Sequence, residues 1–173
     1  YLNMQIDKTT VGMGGSMTLK DMAIFDSLSK HNKVYSHSHL KENETAQEIQ
    51  KMAMDTEVYI TSINGISENG EMVNIDGNGN RASSTLFGHK KVYFVVGINK
   101  IAPTLEDAIF RAKNIAAPLN AKRLECETPC AIGANKCYDC KCGDRICNAM
   151  VIYYRKMNSC DMEVIIIEEK LGY

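Results

Sequence analysis

Short β-branched and aromatic runs alternate along this chain with stretches whose apolar positions recur every three or four residues, a pattern that predicts repeated β-then-α units. TTVGMG (residues 9–14) reads as a strand entering a glycine-rich turn. A helix is predicted next, with Thr18 as N-cap, Asp21 three residues on, and Leu19, Met22, Ile24, Phe25 and Leu28 as its apolar content. KVYSHSH (33–39) suits a second strand, Glu42 to Met54 a helix with Ala46, Ile49 and Ala53 on one face, and EVYITS (57–62) a third strand. In SENGEMVNIDGNGNR (67–81) two glycine–asparagine turns bracket a strand around Met72 to Ile75.

KKVYFVVG (90–97) is the clearest buried strand, because its five consecutive apolar residues suit a sheet covered on both faces. The helix after it is capped by Thr104, carries Leu105, Ala108, Ile109, Ala112, Ile115 and Ala116 at helical spacing, and is expected to end at Pro118. AMVIYY (149–154) and MEVIII (162–167) read as two final strands, expected to be neighbours and to form an antiparallel appendage. With no linker, repeat or low-complexity tract, residues 1–173 are expected to form one three-layer, Rossmann-like α/β domain with a mostly parallel central sheet.

Composition narrows the partners. Twenty Lys and Arg against 21 Asp and Glu give a net charge of -1, and no basic cluster is available for nucleic acid or an anionic membrane. No apolar run approaches the ~20 residues of a membrane-spanning helix, and no segment has the pattern of a secretory signal, so a cytosolic protein is expected. The chain opens on Tyr1 rather than methionine, which leaves room for a preceding segment and any targeting information in it.

Six of the seven cysteines lie between Cys126 and Cys147, with only Cys160 outside. A domain of 173 residues buries enough surface to need no cross-links. In a reducing compartment, crowding of this kind points to metal binding or redox chemistry rather than to disulfide staples.

In an α/β sheet, ligands bind beyond the carboxyl ends of the strands. Four loops there carry polar chemistry. VGMGGSMT (11–18) exposes backbone amides at Gly14 and Gly15 and hydroxyls at Ser16 and Thr18, an anion cradle on one reading and close helix–strand packing with a cap on the other. NIDGNGNR (74–81) joins Asp76, Gly77, Asn78, Gly79 and Asn80 to Arg81, the side chain suited to a bidentate grip on carboxylate or phosphate. Its plainer alternative is a turn whose side chains satisfy their own backbone, and it lacks the twelfth-position glutamate of a calcium loop. GINK (97–100) and NAKR (120–123) add Asn99, Lys100, Lys122 and Arg123, either at the same rim or as solvated charges.

Other constellations carry less. His37 and His39 share a strand face but have no evident third ligand, and Ser16 has neither a nucleophile elbow nor an assignable histidine. No catalytic residue is assignable.

GGSMT (14–18), DGNGNR (76–81), GINKI (97–101), APLNAKR (117–123) and the run from TPC to RICN (128–148), in that order, resemble the LUD, or lactate-utilisation, domain family over nearly the whole chain. The KLGY ending is similar too, whereas Cys142 is an addition to the family pattern. The resemblance implies a fold similar to the sugar-phosphate isomerase and CoA-transferase superfamily, a helical extension ahead of the domain, and a small anionic metabolite as ligand. It also implies a link to bacterial lactate oxidation beside iron–sulfur oxidoreductase subunits. No motif fixes Glu68 or Glu71 as the glutamate nucleophile of a CoA-transferase.

Cys126, Cys130, Cys137, Cys140 and Cys147 match the family's cysteines, with Cys137 and Cys140 as a CxxC pair. Three states stay open for them. A four-iron cluster tolerates irregular spacing because its ligands bind separate irons, zinc is more strongly signalled by two CxxC pairs, and free or disulfide-forming thiols need no metal.

Overall fold

The computed structural model describes residues 1–133 and 136–173, so Ala134 and Asn135 of the cysteine run lie outside the described residues. In chain order the first elements are α1 (Leu2–Gln5), β1 (Thr10–Met13), α2 (Met17–Asp21), α3 (Ile24–Leu28), β2 (Lys33–Ser36), α4 (Ala46–Met54) and β3 (Val58–Thr61). Then come β4 (Gly65–Ser67), β5 (Met72–Asp76), α5 (Asn80–Leu86), β6 (Lys91–Gly97) and β7 (Ile101–Ala102). α6 (Leu105–Arg111), a π-helical turn (Ala112–Ala116), α7 (Ala117–Arg123), α8 (Pro129–Gly133), β8 (Ala149–Tyr153) and β9 (Asp161–Ile167) complete the chain. No helix among the described residues is long and apolar enough to cross a membrane. The chain forms two compact units, one of residues 1–62, 80–97 and 156–172, the other of residues 63–79, 98–155 and Tyr173.

The first unit is built on a five-stranded parallel sheet in the order β2-β1-β3-β6-β9. On one face Val11, Met13, Ile60, Tyr93 and Val95 pack with Leu19, Ile24 and Leu28 of α2 and α3. Gly12 points the other way, where α4 approaches so closely that a Cβ there would lie 2.3 Å from the Ala53 carbonyl oxygen. This is the expected three-layer α/β arrangement with a mostly parallel central sheet. β1 and β3 are adjacent although β2 intervenes in sequence, so the chain's direction of travel across the sheet reverses between them, the place where ligands gather in such folds.

The helix expected from Thr18 is two helices, broken where Ala23 takes a left-handed conformation (φ 50°). Its cap is Ser16, whose Oγ accepts the Leu19 N–H. α4 starts at a capping box in which Thr45 and Glu48 satisfy each other's backbone N–H.

The second unit holds a mixed four-stranded sheet, β7-β4-β5-β8, on which α6 packs through Ala108 and the π-helical turn through Ala112, against Val73 and Ala102. β4, β7 and α8 are too short to show a period. The last two strands are not neighbours, contrary to expectation: β8 pairs antiparallel with β5, while β9 joins the parallel sheet beside β6. The reason is β6, fully buried from Val92 to Val96. Its second edge needs hydrogen-bond partners, which a β8–β9 hairpin would withhold.

Pro118 does not end its helix either. The π turn over Ala112–Ala116 resets the hydrogen-bond ladder before Pro118, which then sits in the first turn of α7, where a missing N–H costs nothing.

Candidate functional site

Within the first unit, the loops after β1 and β2 and the start of α5 meet at the carboxyl end of the sheet. Gly14 is buried, and a Cβ on it would fall 2.6 Å from Thr61 Oγ1, so this glycine serves close packing. Gly15 is exposed, and the His37 ring lies 3.2 Å from the position its Cβ would occupy. Arg81, one residue into α5, donates from Nη1 to the Gly15 carbonyl oxygen at 3.5 Å. Ser16 is half-buried as the α2 cap. Thr18 is fully buried and donates to the Leu171 carbonyl oxygen at 3.1 Å, which ties the C-terminal tail to α2. Gly15, Ser16, Asn80 and Arg81 therefore remain ligand candidates here, joined by His37, while Thr18 and Gly14 do structural work. His39 stacks flat on Phe25 with ring centroids 3.8 Å apart.

The other polar residues singled out in the sequence belong to the second unit. Asp76 Oδ1 accepts the N–H groups of Asn78 (3.1 Å) and Gly79 (2.9 Å), a self-satisfied turn. Gly77 has no room for a side chain, because the Ile146 carbonyl oxygen would lie 2.8 Å from its Cβ. Asn148 completes the clamp by donating its N–H to the Asp76 carbonyl and its Nδ2 to the Gly77 carbonyl. DGNG and the RICN end of the cysteine run are thus one packed feature. Lys100 is buried at 3% exposure and so is not a solvated charge. The Asn99 carbonyl accepts from Arg111 Nε at 2.9 Å. Arg123, in the last turn of α7 rather than in a loop, donates to Asn120 Oδ1 and to the Tyr173 hydroxyl. Asn74, on β5, is fully buried with no hydrogen-bond partner for its amide among the described residues, a polar group that sequence reading passed over as strand content.

Four of the five cysteines singled out in the sequence, Cys130, Cys137, Cys140 and Cys147, line a single cavity together with Lys113, Ala117, Ala121, Thr128 and Arg145. Cys126 is outside this wall, its N–H capping α7 through the Ala121 carbonyl. The π turn sets Lys113 and Asn114 against the loop: Asn114 Oδ1 accepts the Cys137 N–H at 3.1 Å, and Lys113 pairs with Asp139 at 2.9 Å. Arg145 donates to the carbonyl oxygens of Cys140 (2.6 Å) and Cys147 (2.9 Å), pinning both ends of the loop. Burial pushes the Cys126 and Cys137 thiols up, and the S–H that Cys142 donates to Cys140 pushes Cys142 up. Each of these shifts favours the protonated thiol. Among the described residues no three His, Cys, Asp or Glu side chains are arranged to hold a metal ion. The cavity itself has a volume of only about 10 Å³, close to that of one water.

A family model described as the LUD domain matches residues 2–167. The chain belongs to the LUD domain family. That family is associated in general with lactate utilisation. A search of curated proteins gives no match. Among solved structures, the LUD chain is similar to the crystal structure of a DUF162 family protein from Deinococcus radiodurans, at 11% identity and a TM-score of 0.39, over 95% of this chain and 90% of that one.

Proposed function

We propose that this LUD domain is a redox protein of lactate or related 2-hydroxy-acid metabolism. In this reading the first unit binds a small carboxylated or phosphorylated metabolite on Gly15, Ser16, Asn80 and Arg81. The second unit holds an iron–sulfur cluster on Cys130, Cys137, Cys140 and Cys147 and works beside iron–sulfur oxidoreductase subunits. The observation that supports it most is the single cavity ringed by four thiols and two cationic side chains. A four-iron cluster takes one thiolate per iron, so its ligands need not converge on a point, which accommodates this wall better than one zinc ion does. Such a cluster, when bound, supplies one-electron transfer. Lys113 and Arg145 would offset the charge of four thiolates, lowering the cost of deprotonating them. Room for it requires residues 136–147 to move outward.

The closed cavity favours a second reading, in which the thiols are unligated and the domain binds its ligand without turnover. Anaerobic purification followed by iron, sulfide and zinc analysis separates the two. The cluster reading expects stoichiometric iron and a broad band near ~400 nm, both lost in Cys137→Ser; zinc alone, or no metal after reconstitution with iron and sulfide, removes it. For the metabolite site, Arg81→Ala and Gly15→Leu are each expected to weaken lactate or sugar-phosphate binding by about tenfold or more in calorimetry, the equivalent of one charge-assisted hydrogen bond. Unchanged affinity in both variants would move the ligand elsewhere.

A further inference from the structure

Cys142 lies outside the cavity wall, yet its Sγ is 3.3 Å from Cys140 Sγ. A disulfide needs about 2.05 Å, so the two sulfurs are roughly 1.3 Å short of bonding distance. The loop between them can supply that movement: residues 137–142 form no regular secondary structure, and nothing lies within 4 Å of where a Cβ on Gly143 would be. Both thiols are partly exposed, with exposed Lys141 between them and Arg145 bound to the Cys140 carbonyl. Asp139 and Asp144 lie on the same loop, so charge is balanced there and it is the exposure of the two thiols that admits a small disulfide. We propose that Cys140 and Cys142 form a reversible dithiol–disulfide site that reacts with low-molecular-weight disulfides of the glutathione class.

The Cys140 thiolate attacks one sulfur of the small disulfide, forming a mixed disulfide and expelling one small thiolate. Cys142 then gives up its proton to the small thiolate released in the first step and attacks Cys140 Sγ, which closes the intramolecular S–S bond and expels the second small thiolate. Two electrons pass from the protein sulfurs to the small disulfide, and the two thiol protons end on the two released small thiols. Bridge formation stands independently of any metal. Its consequence for a cluster, removal of Cys140 from the cavity wall, rests on the cluster reading above.

The test treats the full chain with oxidised glutathione, both as purified and after chelator stripping, then alkylates free thiols and maps peptides without reduction. The stripped chain is expected to lose two of its seven thiols as a Cys140–Cys142 bridge, restored by dithiothreitol. Cys142→Ser is expected to stop instead at a glutathione adduct on Cys140. A stripped chain that keeps all its thiols, or bridges Cys140 to Cys137 or Cys147, overturns the proposal. Should iron-bearing protein bridge as readily as stripped protein, the dithiol site stands and Cys140 is not a cluster ligand.

Discussion

Gly12→Val is expected to move the urea unfolding midpoint of the first unit far below that of the unaltered chain. A Cβ at residue 12 would sit 2.3 Å from the Ala53 carbonyl oxygen, 2.8 Å from Tyr59 Cδ2 and 2.9 Å from Thr56 Oγ1. The first of these is backbone in the last turns of α4, so relief requires the helix to lift off the sheet, not merely a side chain to rotate. Overpacking a core typically costs about 1–3 kcal/mol when side chains can shift. Lifting α4 also uncovers Ile49 and Ala53, the helix's own buried residues, so a total near or above ~4 kcal/mol is expected, a large share of the ~5–15 kcal/mol of a typical domain. Circular dichroism through a urea series is the measurement, with Gly143→Ala as the control, since a Cβ at Gly143 meets nothing within 4 Å. A Gly12→Val midpoint equal to that of the control would show that α4 does not ride on β1 this closely.

What was legible in the sequence was whatever a local pattern specifies. The run Val92–Val96 announced a strand buried on both faces and is one. Thr104 caps α6 as expected, its hydroxyl accepting the Asp107 N–H at 3.1 Å. What escaped were decisions made by partners distant in sequence. Whether MEVIII pairs with AMVIYY or with β6 depends on which exposed edge most needs hydrogen bonds, and no window of residues contains that information. Pro118 misled because the π turn that accommodates it has no sequence signature of its own.

The candidate site divides in the same way. Gly15 and Arg81 lie 66 positions apart and meet through a hydrogen bond, a contact that the motifs suggested without being able to show. Cys130, Cys137, Cys140 and Cys147 line one cavity and Cys126 does not, a division that cysteine spacing alone could not show. Lys113 and Asn114 were invisible because they occupy ordinary positions in an amphipathic helical stretch. Only the π turn directs them to the thiols.

Arg111 is where the second unit is expected to be most vulnerable. Its guanidinium is buried at 8% exposure and donates to two backbone carbonyls, Asn99 at 2.9 Å from Nε and Asn64 at 2.5 Å from Nη1. It thereby joins the segment before β7 to the one before β4. Burial pulls its pKa below the usual arginine value, a sign that holding the charge there is costly. Arg111→Leu removes that cost, which opposes destabilisation. It also leaves the two carbonyls without this donor, and hydrogen bonds from a charged group contribute about 1.5–3 kcal/mol each. Two such bonds outweigh a penalty already moderated by them, so a net loss of about 2–4 kcal/mol is expected in urea unfolding. Arg111→Lys should recover less than half of that loss, because a single ammonium on a flexible stem cannot reproduce the fixed fork that spans both carbonyls. If Arg111→Leu unfolds at the wild-type midpoint, the desolvation cost equals the bonds, and Arg111 is retained for placing Asn99 and Lys100 instead of for stability.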